Sequence, residues 1–340
     1  MSVGCATHTA LIIDRDGAVV TQADVLTKIE WTRVLDGIST ATITVQPDGT
    51  CCRALSRVRS WRHSLAIYRD GKSCWTGPIT TPQWTADGIT ITAVDTVGWL
   101  AKRVPHQDMR FTDRDLADIA ASLVSDGFAP DDPGHQVQIV APTRIRGDRA
   151  YTQNVGYVSD HLADLADTGL DYTAVGSRIV LLPENFYGSV GALTDADFPD
   201  GLTVTEDGSS LATRVVVAGR QGQENAADVI GSAGGVDDYY GLLEQYVDEP
   251  SVLDDNSASA AALSHLRASL PAPVFISSQE TTLAPDADVD VPSLVPGWTV
   301  DVTTTATCRT ISQSMKLHAL KVSEDGSGET VAVTLAPAGV

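Results

Sequence analysis

Three Asp-Gly pairs between residues 28 and 95 constrain the fold more than any other feature, because this dipeptide favours the tight turn of a β-hairpin. Apolar and polar residues alternate on both sides of each pair, as in half-buried strands. The pairs therefore predict three hairpins, typical of a barrel or a sandwich. Gly77-Pro78 is expected to end one strand, because proline has no N–H to donate. The predicted strands are 31–34, 40–45, 65–68, 74–76, 83–85 and 89–93.

After residue 103 the apolar pattern changes to the period of an amphipathic helix. Thr112 or Asp113 is expected to cap this helix and Gly127 to end it. A second helix is predicted over residues 155–168, with Gly169 just beyond its C-terminus. The apolar face of the first helix consists of Leu116, Ile119, Ala120, Leu123 and Val124.

The remaining sequence returns mainly to strand patterns. Residues 219–235 are rich in Gly, Ala and polar side chains without periodicity, which predicts a mobile loop. A third helix is predicted over residues 257–270 and is stopped by Pro271. The predicted strands of this part are 178–182, 202–205, 214–218, 274–277, 298–304, 317–322 and 331–335.

Composition excludes several classes of protein. The chain of 340 residues is long enough for two to three domains, and its formal net charge of −21 disfavours nucleic-acid binding by repelling phosphates. No apolar run approaches the roughly 18 residues of a membrane-spanning helix, and the N-terminus does not resemble an export signal. We expect a globular protein with no membrane-spanning segment.

Ser159, Asp160 and His161 are the three residue types of a hydrolase triad. Consecutive helical residues point about 100 degrees apart, so these side chains cannot form the relay of hydrogen bonds that a triad needs. We interpret His161 as a solvated helix residue. The sequence also lacks the usual nucleophile-elbow, zinc-protease and phosphate-loop motifs. No catalytic, cofactor-binding or metal-binding residue is therefore predicted, and the protein is expected not to be an enzyme.

Two acidic clusters raise the alternative of calcium binding. Asp14 and Asp16 precede a glycine but lack the downstream glutamate of an EF-hand loop. Asp286, Asp288 and Asp290 alternate with apolar residues, so a strand would place all three carboxylates on one face. We interpret this second cluster as the solvated face of a strand, and we expect no metal or other cofactor.

The tryptophans and cysteines also leave alternatives open. Five tryptophans lie in the first hundred residues and form either a sugar-binding platform or ordinary core and interface contacts. Adjacent Cys51 and Cys52 can bind metal or be redox-active, but neighbours on a strand point to opposite faces, so reduced and mostly buried thiols are expected. The tryptophans are Trp31, Trp61, Trp75, Trp84 and Trp99, and the other cysteines are Cys5, Cys74 and Cys308.

Several segments together resemble the minor tail proteins of actinobacterial siphophages, the Gp37-like hub family of the tail tip. Two of them, EWTRVLDGISTATITV and WRHSLAIYRDGKSCWTGPI, are similar to the N-terminal barrel of that family. Three others follow in the same order, so the resemblance extends over most of the chain. They are ITITAVDTVGWLAKR, LADLADTGLDYTA and LVPGWTVDV.

The resemblance implies a mainly β fold with an α+β insert, in a multidomain hub architecture that has two β-barrel domains, a small α/β domain and a C-terminal β segment. Residues 1–103 correspond to an N-terminal β-barrel domain and residues 104–183 to the α/β insert domain. Residues 184–340 correspond to a second β-barrel and C-terminal β region, whose strands can be discontinuous with the first barrel.

The resemblance also implies a function. Such a hub forms a homotrimer around a channel and contacts the distal tail protein, the tape-measure protein, and other minor tail proteins or fibres. DNA only passes through, and carboxylates that line the channel would repel it. The expected location is the virion, at the tail tip, after assembly in the host cytoplasm. A receptor- or carbohydrate-binding tail component is the alternative, followed by a cell-wall hydrolase. Because the chain stops just after its last strand, we expect no added hydrolase domain.

Overall fold

The computed structural model describes residues 6–23, 26–46, 51–219, 229–249, 252, 254–269, 274–276, 279–306 and 308–338. The helices are α1 (Cys51–Leu55), α2 (Val97–Leu100), α3 (Leu116–Phe128), α4 (Val158–Ala166) and α5 (Asp255–Ser269). The strands are β1 (His8–Ile13), β2 (Val19–Gln22), β3 (Leu26–Val34), β4 (Thr40–Val45), β5 (Ser64–Arg69), β6 (Lys72–Trp84), β7 (Ile89–Val94), β8 (Met109–Asp115), β9 (Gln136–Ile139), β10 (Arg146–Tyr151), β11 (Leu170–Val175), β12 (Arg178–Pro183), β13 (Ser189–Thr194), β14 (Val204–Glu206), β15 (Arg214–Gly219), β16 (Val229–Gly234), β17 (Glu244–Asp248), β18 (Val274–Ile276), β19 (Gln279–Thr282), β20 (Thr299–Thr304), β21 (Ile311–Asp325) and β22 (Gly328–Pro337).

The chain folds as two compact units. The first consists of Met1–Leu202 and Ser277–Val340, and the second is Thr203–Ile276. Strands far outnumber helices in the described residues, so the mainly β fold with an α+β insert is confirmed. The division of the chain at residues 103 and 183 stays a prediction. None of the helices in the described ranges is both long and apolar enough to cross a membrane.

A twelve-stranded sheet unites the two ends of the chain in the first unit. Its order is β13-β20-β21-β3-β4-β7-β6-β5-β1-β2, with β22 paired to β21 and β19 paired to β22. The central pair, β3 with β21, runs antiparallel from Val34 opposite Ala319 to Lys28 opposite Asp325. N-terminal and C-terminal strands therefore belong to one sheet, and each depends on the other for its backbone hydrogen bonds.

The three predicted hairpins are confirmed as β3–β4, β5–β6 and β6–β7, but the expected end of β6 at Gly77-Pro78 is wrong. The strand continues to Trp84. It pairs with β5 as far as Pro78 and with β7 from Ile79 onwards. The missing N–H of Pro78 thus falls where the strand changes partners, and there a proline interrupts neither ladder.

Helices α3 and α4 form a core with β11 and β12. The predicted α3 is confirmed, but its expected caps are wrong, because Thr112 and Asp113 lie in β8. Asp115 is the N-cap instead, since its carboxylate accepts a hydrogen bond from the Ala117 N–H at 2.9 Å. Gly127 lies within the helix, where an added Cβ would press on Val158 of α4, so this glycine permits close helix packing.

The predicted second helix is confirmed as α4, although it is shorter at both ends. Gly169 follows it with a φ of +108°, a backbone conformation that favours glycine and turns the chain directly into β11. The predicted C-terminal strands are confirmed as β20, β21 and β22, of which β21 and β22 extend well beyond the expected residues.

The second unit corrects the prediction of a mobile loop over residues 219–235. Gly219 ends β15, and Val229–Gly234 forms β16, which pairs with β15; residues 220–228 lie outside the described residues. The small residues of β16 misled the prediction, but they have a packing role. A Cβ on Gly231 would overlap the backbone of α5 at Ala258, so the helix lies directly on this strand. The predicted third helix is confirmed as α5.

The partner change in β6 yields a first prediction. Replacing Gly77 with alanine places a Cβ on the carbonyl oxygen of Val94, which is held in the adjacent strand and cannot rotate away. We expect Gly77→Ala to reduce the free energy of unfolding by about 3 kcal/mol, as overpacking does at its upper range. Urea denaturation followed by circular dichroism measures the change.

Gly191→Ala in β13 is the matched control, because nothing lies within 4 Å of its added Cβ. We expect this variant to unfold at the same urea concentration as the original chain. Equal stability of Gly77→Ala and Gly191→Ala would contradict the close approach of β6 to β7.

Candidate functional site

The structure does not bring Ser159, Asp160 and His161 together as a triad. The Ser159 hydroxyl lies 3.3 Å from Asp160 Oδ1, but His161 Nε2 lies 3.0 Å from the carbonyl oxygen of Val155. The imidazole also packs against the ring of Tyr151, with 4.9 Å between their centroids. The histidine is therefore half-buried and engaged with the start of α4, away from the serine.

Asp14 and Asp16 form the turn between β1 and β2. Asp16 Oδ1 accepts a hydrogen bond from the Ala18 N–H at 2.9 Å, and Asp14 Oδ2 accepts one from Arg62 at 2.8 Å. Backbone and side-chain donors, the Arg15 N–H first, lower the pKa of Asp14. These carboxylates are thus used to shape a hairpin and to pair with an arginine.

The strand expected at Asp286, Asp288 and Asp290 is wrong. The alternation itself is present, because these residues are exposed while Ala287 and Val289 between them are buried. However, the Ala287 N–H donates back to the carbonyl of Ala284, so the segment forms a turn. Among the described residues, no three His, Cys, Asp or Glu side chains are grouped to hold a metal ion.

The five tryptophans occupy different environments. Trp31 and Trp75 are buried, and their indole N–H groups donate to His8 Nε2 at 3.3 Å and to the Thr32 carbonyl at 3.1 Å. The other three include an edge-to-face pair with centroids 5.2 Å apart, and one side chain that is 47% exposed. These are Trp61 with Trp99, and Trp84. They do not form a single platform.

Cysteine positions differ from the expectation. Cys51 and Cys52 lie in α1 and not on a strand, since the sequence CCRAL contains good helix formers and no alternation. Their side chains lie outside the described residues, as does Cys5. Cys74 is a buried free thiol, and burial raises its pKa, whereas Cys308 is free and exposed.

A buried ion pair joins β5 to β22. The Arg69 guanidinium donates from Nε and Nη2 to the two carboxylate oxygens of Glu329, each at 2.7 Å. The side chains are only 2% and 0% exposed. This two-point geometry is the strongest that arginine makes with a carboxylate, and it raises the pKa of Arg69.

The Arg69–Glu329 pair shows that the large sheet curls back on itself. Six strand-to-strand steps separate β22 from β5 along the sheet, by way of β21, β3, β4, β7 and β6. In a flat sheet, steps of about 4.8 Å would place these strands about 29 Å apart. Direct contact of the two side chains therefore requires a strongly curved sheet, with the ion pair on its inner side.

His8 of β1 extends this cluster. Its Nδ1 lies 2.5 Å from Glu324 Oε2, and its Nε2 accepts the indole N–H of Trp31. Since Nε2 accepts, the hydrogen-bond network assigns the proton to Nδ1, which donates to Glu324. Glu329 Oε1 lies 3.8 Å from Nε2. Charged and polar groups from β1, β3, β5, β21 and β22 thus meet at one point inside the curve.

A cavity of about 300 Å³ opens beside His8. The charged groups of its lining are Lys28, Glu324 and Asp325, of which Lys28 forms an ion pair with Glu30 and Glu324 is hydrogen-bonded to His8. This arrangement is suited to holding strands in place, because the contact of Glu324 with His8 joins β21 to β1. Its lining residues are His8, Leu26, Thr27, Lys28, Ile29, Glu324, Asp325 and Gly326.

Arg33 makes a second buried connection across the same curve. It is 1% exposed, and its guanidinium donates to three backbone carbonyls. The distances are 2.6 Å to Cys74 in β6, 2.8 Å to Pro292 and 2.9 Å to Leu294. One side chain on β3 therefore fixes both β6 and the segment before β20.

Asp36, in the turn between β3 and β4, connects the sheet to the α/β part of the first unit. Its N–H donates to the Tyr172 carbonyl and its Oδ1 accepts the Tyr172 N–H, both at 2.8 Å. Burial raises the pKa of Asp36 to about 7. Burial also raises the pKa of the neighbouring Asp171, which forms an ion pair with Lys316 of β21.

No family model and no curated protein matches the sequence, but solved structures match it over nearly its whole length. The 43 kDa tail protein of prophage MuSo2 from Shewanella oneidensis is 14% identical with a TM-score of 0.56, and the match covers 97% of this chain and 98% of that protein. The tail protein of Neisseria meningitidis MC58 is 13% identical with a TM-score of 0.57, over 98% and 97% of the two chains.

This chain has the fold of these phage tail proteins. The fold also extends to the Escherichia coli c3393 protein, a component of the type VI secretion system described as structurally similar to the T4 bacteriophage tail proteins gp27 and gp5. That match has 11% identity and a TM-score of 0.52, over 92% of this chain and 73% of the other. The tail-protein fold predicted from the resemblance is thereby confirmed.

The buried charges of this tail-protein fold were missed by the sequence analysis, although a signal was present. Glu329 shares its strand face with Val331 and Val333, which are buried. Arg69 similarly shares a face with the buried Leu65 and Ile67. A charged residue in register with apolar ones indicates an internal partner, but the partner lies 260 residues away and has no local signature.

The ion pair yields a prediction for stability. Glu329→Gln leaves the Arg69 guanidinium buried without its counter-charge, so we expect the free energy of unfolding to fall by about 3 kcal/mol. Replacing both residues with apolar ones, Arg69→Met with Glu329→Leu, should restore much of that loss. Chemical denaturation measures the free energy of unfolding of all variants.

Glu30→Gln is the control, since Glu30 pairs with lysines near the surface. This substitution should reduce the free energy of unfolding by less than about 1 kcal/mol. Equal effects at positions 30 and 329 would contradict the buried closure.

Asp36 yields a prediction for pH dependence. Its pKa is about 7 in the folded chain against an ordinary 3.8, so between these pH values the folded chain holds a proton that the unfolded chain releases. The contribution of Asp36 to the free energy of unfolding is therefore greatest below pH 3.8 and is lost as pH rises towards 7. Asp36→Asn keeps the acceptor for Tyr172 without the charge. We expect this variant to be more stable than the original chain by about 1 kcal/mol at pH 8, with less gain at pH 5. The effect is small because Asp36 is partly exposed and solvent screens its charge.

Thermal unfolding at both pH values measures this difference. Asp87→Asn is the matched control, because it makes the same change in another Asp-Gly hairpin turn, whereas the Asp36 carboxylate is hydrogen-bonded to Tyr172 and lies beside Asp171. A pH-dependent gain of similar size in both variants would contradict the role of the Asp36 environment.

Proposed function

We propose that this protein is a structural component of a phage tail tip, a baseplate hub that joins the tail tube and distal tail protein to the tip fibres. The observation that carries the proposal is the likeness to phage tail proteins over almost the full length of both chains. The type VI secretion protein with similarity to gp27 and gp5 supports the hub assignment, because its described likeness is to tail proteins of the T4 phage.

The proposed hub is a homotrimer, located in the virion after assembly in the host cytoplasm. Each chain contributes two barrel-like parts, 1–103 and 184–340, strands of which share the twelve-stranded sheet, with residues 104–183 between them in sequence. The strongly curled sheet of the first unit supports barrel-like walls. Expected partners are the distal tail protein, the tape-measure protein and other minor tail proteins or fibres, with DNA only in passage. The segments that resemble the Gp37-like family favour a siphophage of actinobacteria.

We propose that the hub acts without catalysis. Ser159 and His161 face different partners, and the buried Arg69 and Glu329 of the curled sheet are bonded to one another. Such a site holds the fold and leaves no activated nucleophile.

Native mass spectrometry and electron microscopy of the purified chain test this proposal. We expect a species of three times 35.8 kDa and a ring with a central channel. A zymogram on host peptidoglycan should show no clearing. A chain that stays monomeric at high concentration and is absent from purified virions would contradict the hub, and clearing of peptidoglycan would favour the hydrolase alternative.

A further inference from the structure

Residues 51–86 form a basic segment in a strongly acidic chain. They contain six Lys or Arg and a single Asp, whereas the whole chain has a formal net charge of −21. Arg53, Arg57 and Arg59 are exposed, and no carboxylate of the described residues pairs with them. These three arginines are therefore available to an anionic ligand. The other cations are in ion pairs, Arg62 with Asp14, Arg69 with Glu329 and Lys72 with Asp290.

The loop of residues 56–63, which we call the Arg59 loop, is held firmly against β6. The Trp61 N–H donates to the Ile79 carbonyl at 2.7 Å, and the Ile79 N–H donates to the His63 carbonyl at 2.9 Å. Within the loop, the Arg59 N–H donates to His63 Nδ1 at 2.9 Å. The side chains of Val58 and His63 are buried. The backbone that carries Arg59 is therefore fixed before any ligand binds.

The Arg59 guanidinium is oriented by the loop and keeps donors for a ligand. Its Nη1 donates to the carbonyl oxygens of Ser56 and Val58, at 3.1 and 2.8 Å. A guanidinium also carries N–H groups on Nε and Nη2, and on Arg59 these bond to nothing in the described residues. Nε and Nη2 together form the fork that binds both oxygens of a carboxylate or two of a phosphate. Arg69 binds Glu329 through the same two atoms.

A groove of about 410 Å³ lies beside the Arg59 guanidinium. Trp84, at the end of β6, is 47% exposed. The hydroxyls of Ser60 and Thr81 make no hydrogen bond within the described part of the chain. Both are therefore free to bond a ligand. The Arg59 loop contributes Arg59 and Ser60 to the lining, and β6 contributes Thr80, Thr81, Pro82 and Trp84.

This lining is suited to a sugar that bears a negative charge. Serine and threonine hydroxyls both donate and accept hydrogen bonds, as the hydroxyls of a sugar do. The exposed indole of Trp84 offers a flat apolar surface to the C–H face of a sugar ring. The fork of Arg59 binds an anionic substituent on that ring. The volume also lies within the range of small-ligand sites, about 300 to 1,000 Å³.

Two other occupants fit the groove less well. A peptide strand would have to pair with the part of β6 beyond Pro78, which β5 does not cover. Pro82 lies in that part and has no N–H, and a proline at a strand edge hinders the addition of a further strand. Nucleic acid brings a phosphate with every nucleotide, and a chain of net charge −21 repels such a polyanion. A single arginine in the groove matches a ligand with one anionic group.

We propose that the groove between the Arg59 loop and β6 binds a saccharide that carries a carboxylate or a phosphate group. Arg59 binds the anionic group, Trp84 stacks on the sugar ring, and the hydroxyls of Ser60 and Thr81 bond those of the sugar. The site consists of residues of one chain, so it goes beyond the proposed hub and does not depend on its assembly.

Saturation-transfer difference NMR on the purified full chain tests the proposal. The ligands are glucuronic acid for the carboxylate, glucose 6-phosphate for the phosphate, and glucose as the neutral comparison. We expect at least one charged sugar to bind with a Kd of about 1 mM. Glucose should bind about ten-fold more weakly, because it makes no charge-assisted hydrogen bonds with Arg59. The charged sugar that binds more tightly identifies the anionic group.

Variants connect this binding to the groove. Arg59→Gln should weaken binding of the charged sugar about ten-fold and leave glucose unchanged. Arg57→Gln removes the same charge from an exposed position of the loop outside the groove lining, and it should change neither. Trp84→Ala should weaken binding of all three sugars, whereas Tyr187→Ala removes an exposed aromatic elsewhere and should not. Circular dichroism confirms that each variant is folded.

Several outcomes would overturn the proposal. One is the absence of detectable binding by both charged sugars, and another is binding of glucose as tight as theirs. Equal effects of Arg57→Gln and Arg59→Gln would show that the groove is not the site. A tetraglutamate peptide or a thymidylate hexamer that binds more tightly than both charged sugars would assign the groove to a protein or to a nucleic acid instead.

Discussion

The antiparallel pairing of β3 with β21 is the constraint on which the first unit depends. It joins residues almost 300 positions apart into one ladder, and the flanking strands β4, β7 and β22 are placed by it in turn. Neither end of the chain can complete its backbone hydrogen bonds without the other. Closing so long a loop is costly in entropy, so the pairing has to be reinforced by contacts that form only when both ends are present. The buried side chains inside the curved sheet provide those contacts.

Arg33, Arg69 and Glu329 reinforce the pairing mainly by fixing the geometry of the sheet. Their net contribution to the free energy of unfolding is the smaller effect. A buried ion pair contributes little compared with well-packed apolar residues, because desolvation offsets its attraction. Its value here is geometric. The Arg69–Glu329 pair is satisfied at one curvature of the sheet, and the three carbonyls bound by Arg33 come from two separate parts of the chain. A register shift by one residue would turn these charges outwards and expose the apolar face with them.

Local features of the fold were predictable from sequence, and long-range ones were not. Asp36-Gly37 and its two counterparts predicted hairpins correctly, because turn chemistry depends on adjacent residues. Gly231 misled the prediction, since its small size reflects the backbone of α5 lying on it. Glu329 gave a visible anomaly on an apolar face but no indication of its partner. The sequence did not indicate Asp115 as the N-cap of α3, because no local pattern shows that β8 extends directly up to the helix.

Charged side chains have different environments in the two units. In the first, charged side chains such as Arg69 are taken inside and paired, which leaves the curvature of the sheet fixed. In the second unit, the Asp237 carboxylate accepts a hydrogen bond from the backbone of Tyr239 and so stabilises a turn, and the Tyr239 side chain is exposed to solvent. An exposed tyrosine contributes little to the stability of the fold, because its apolar surface remains in contact with water.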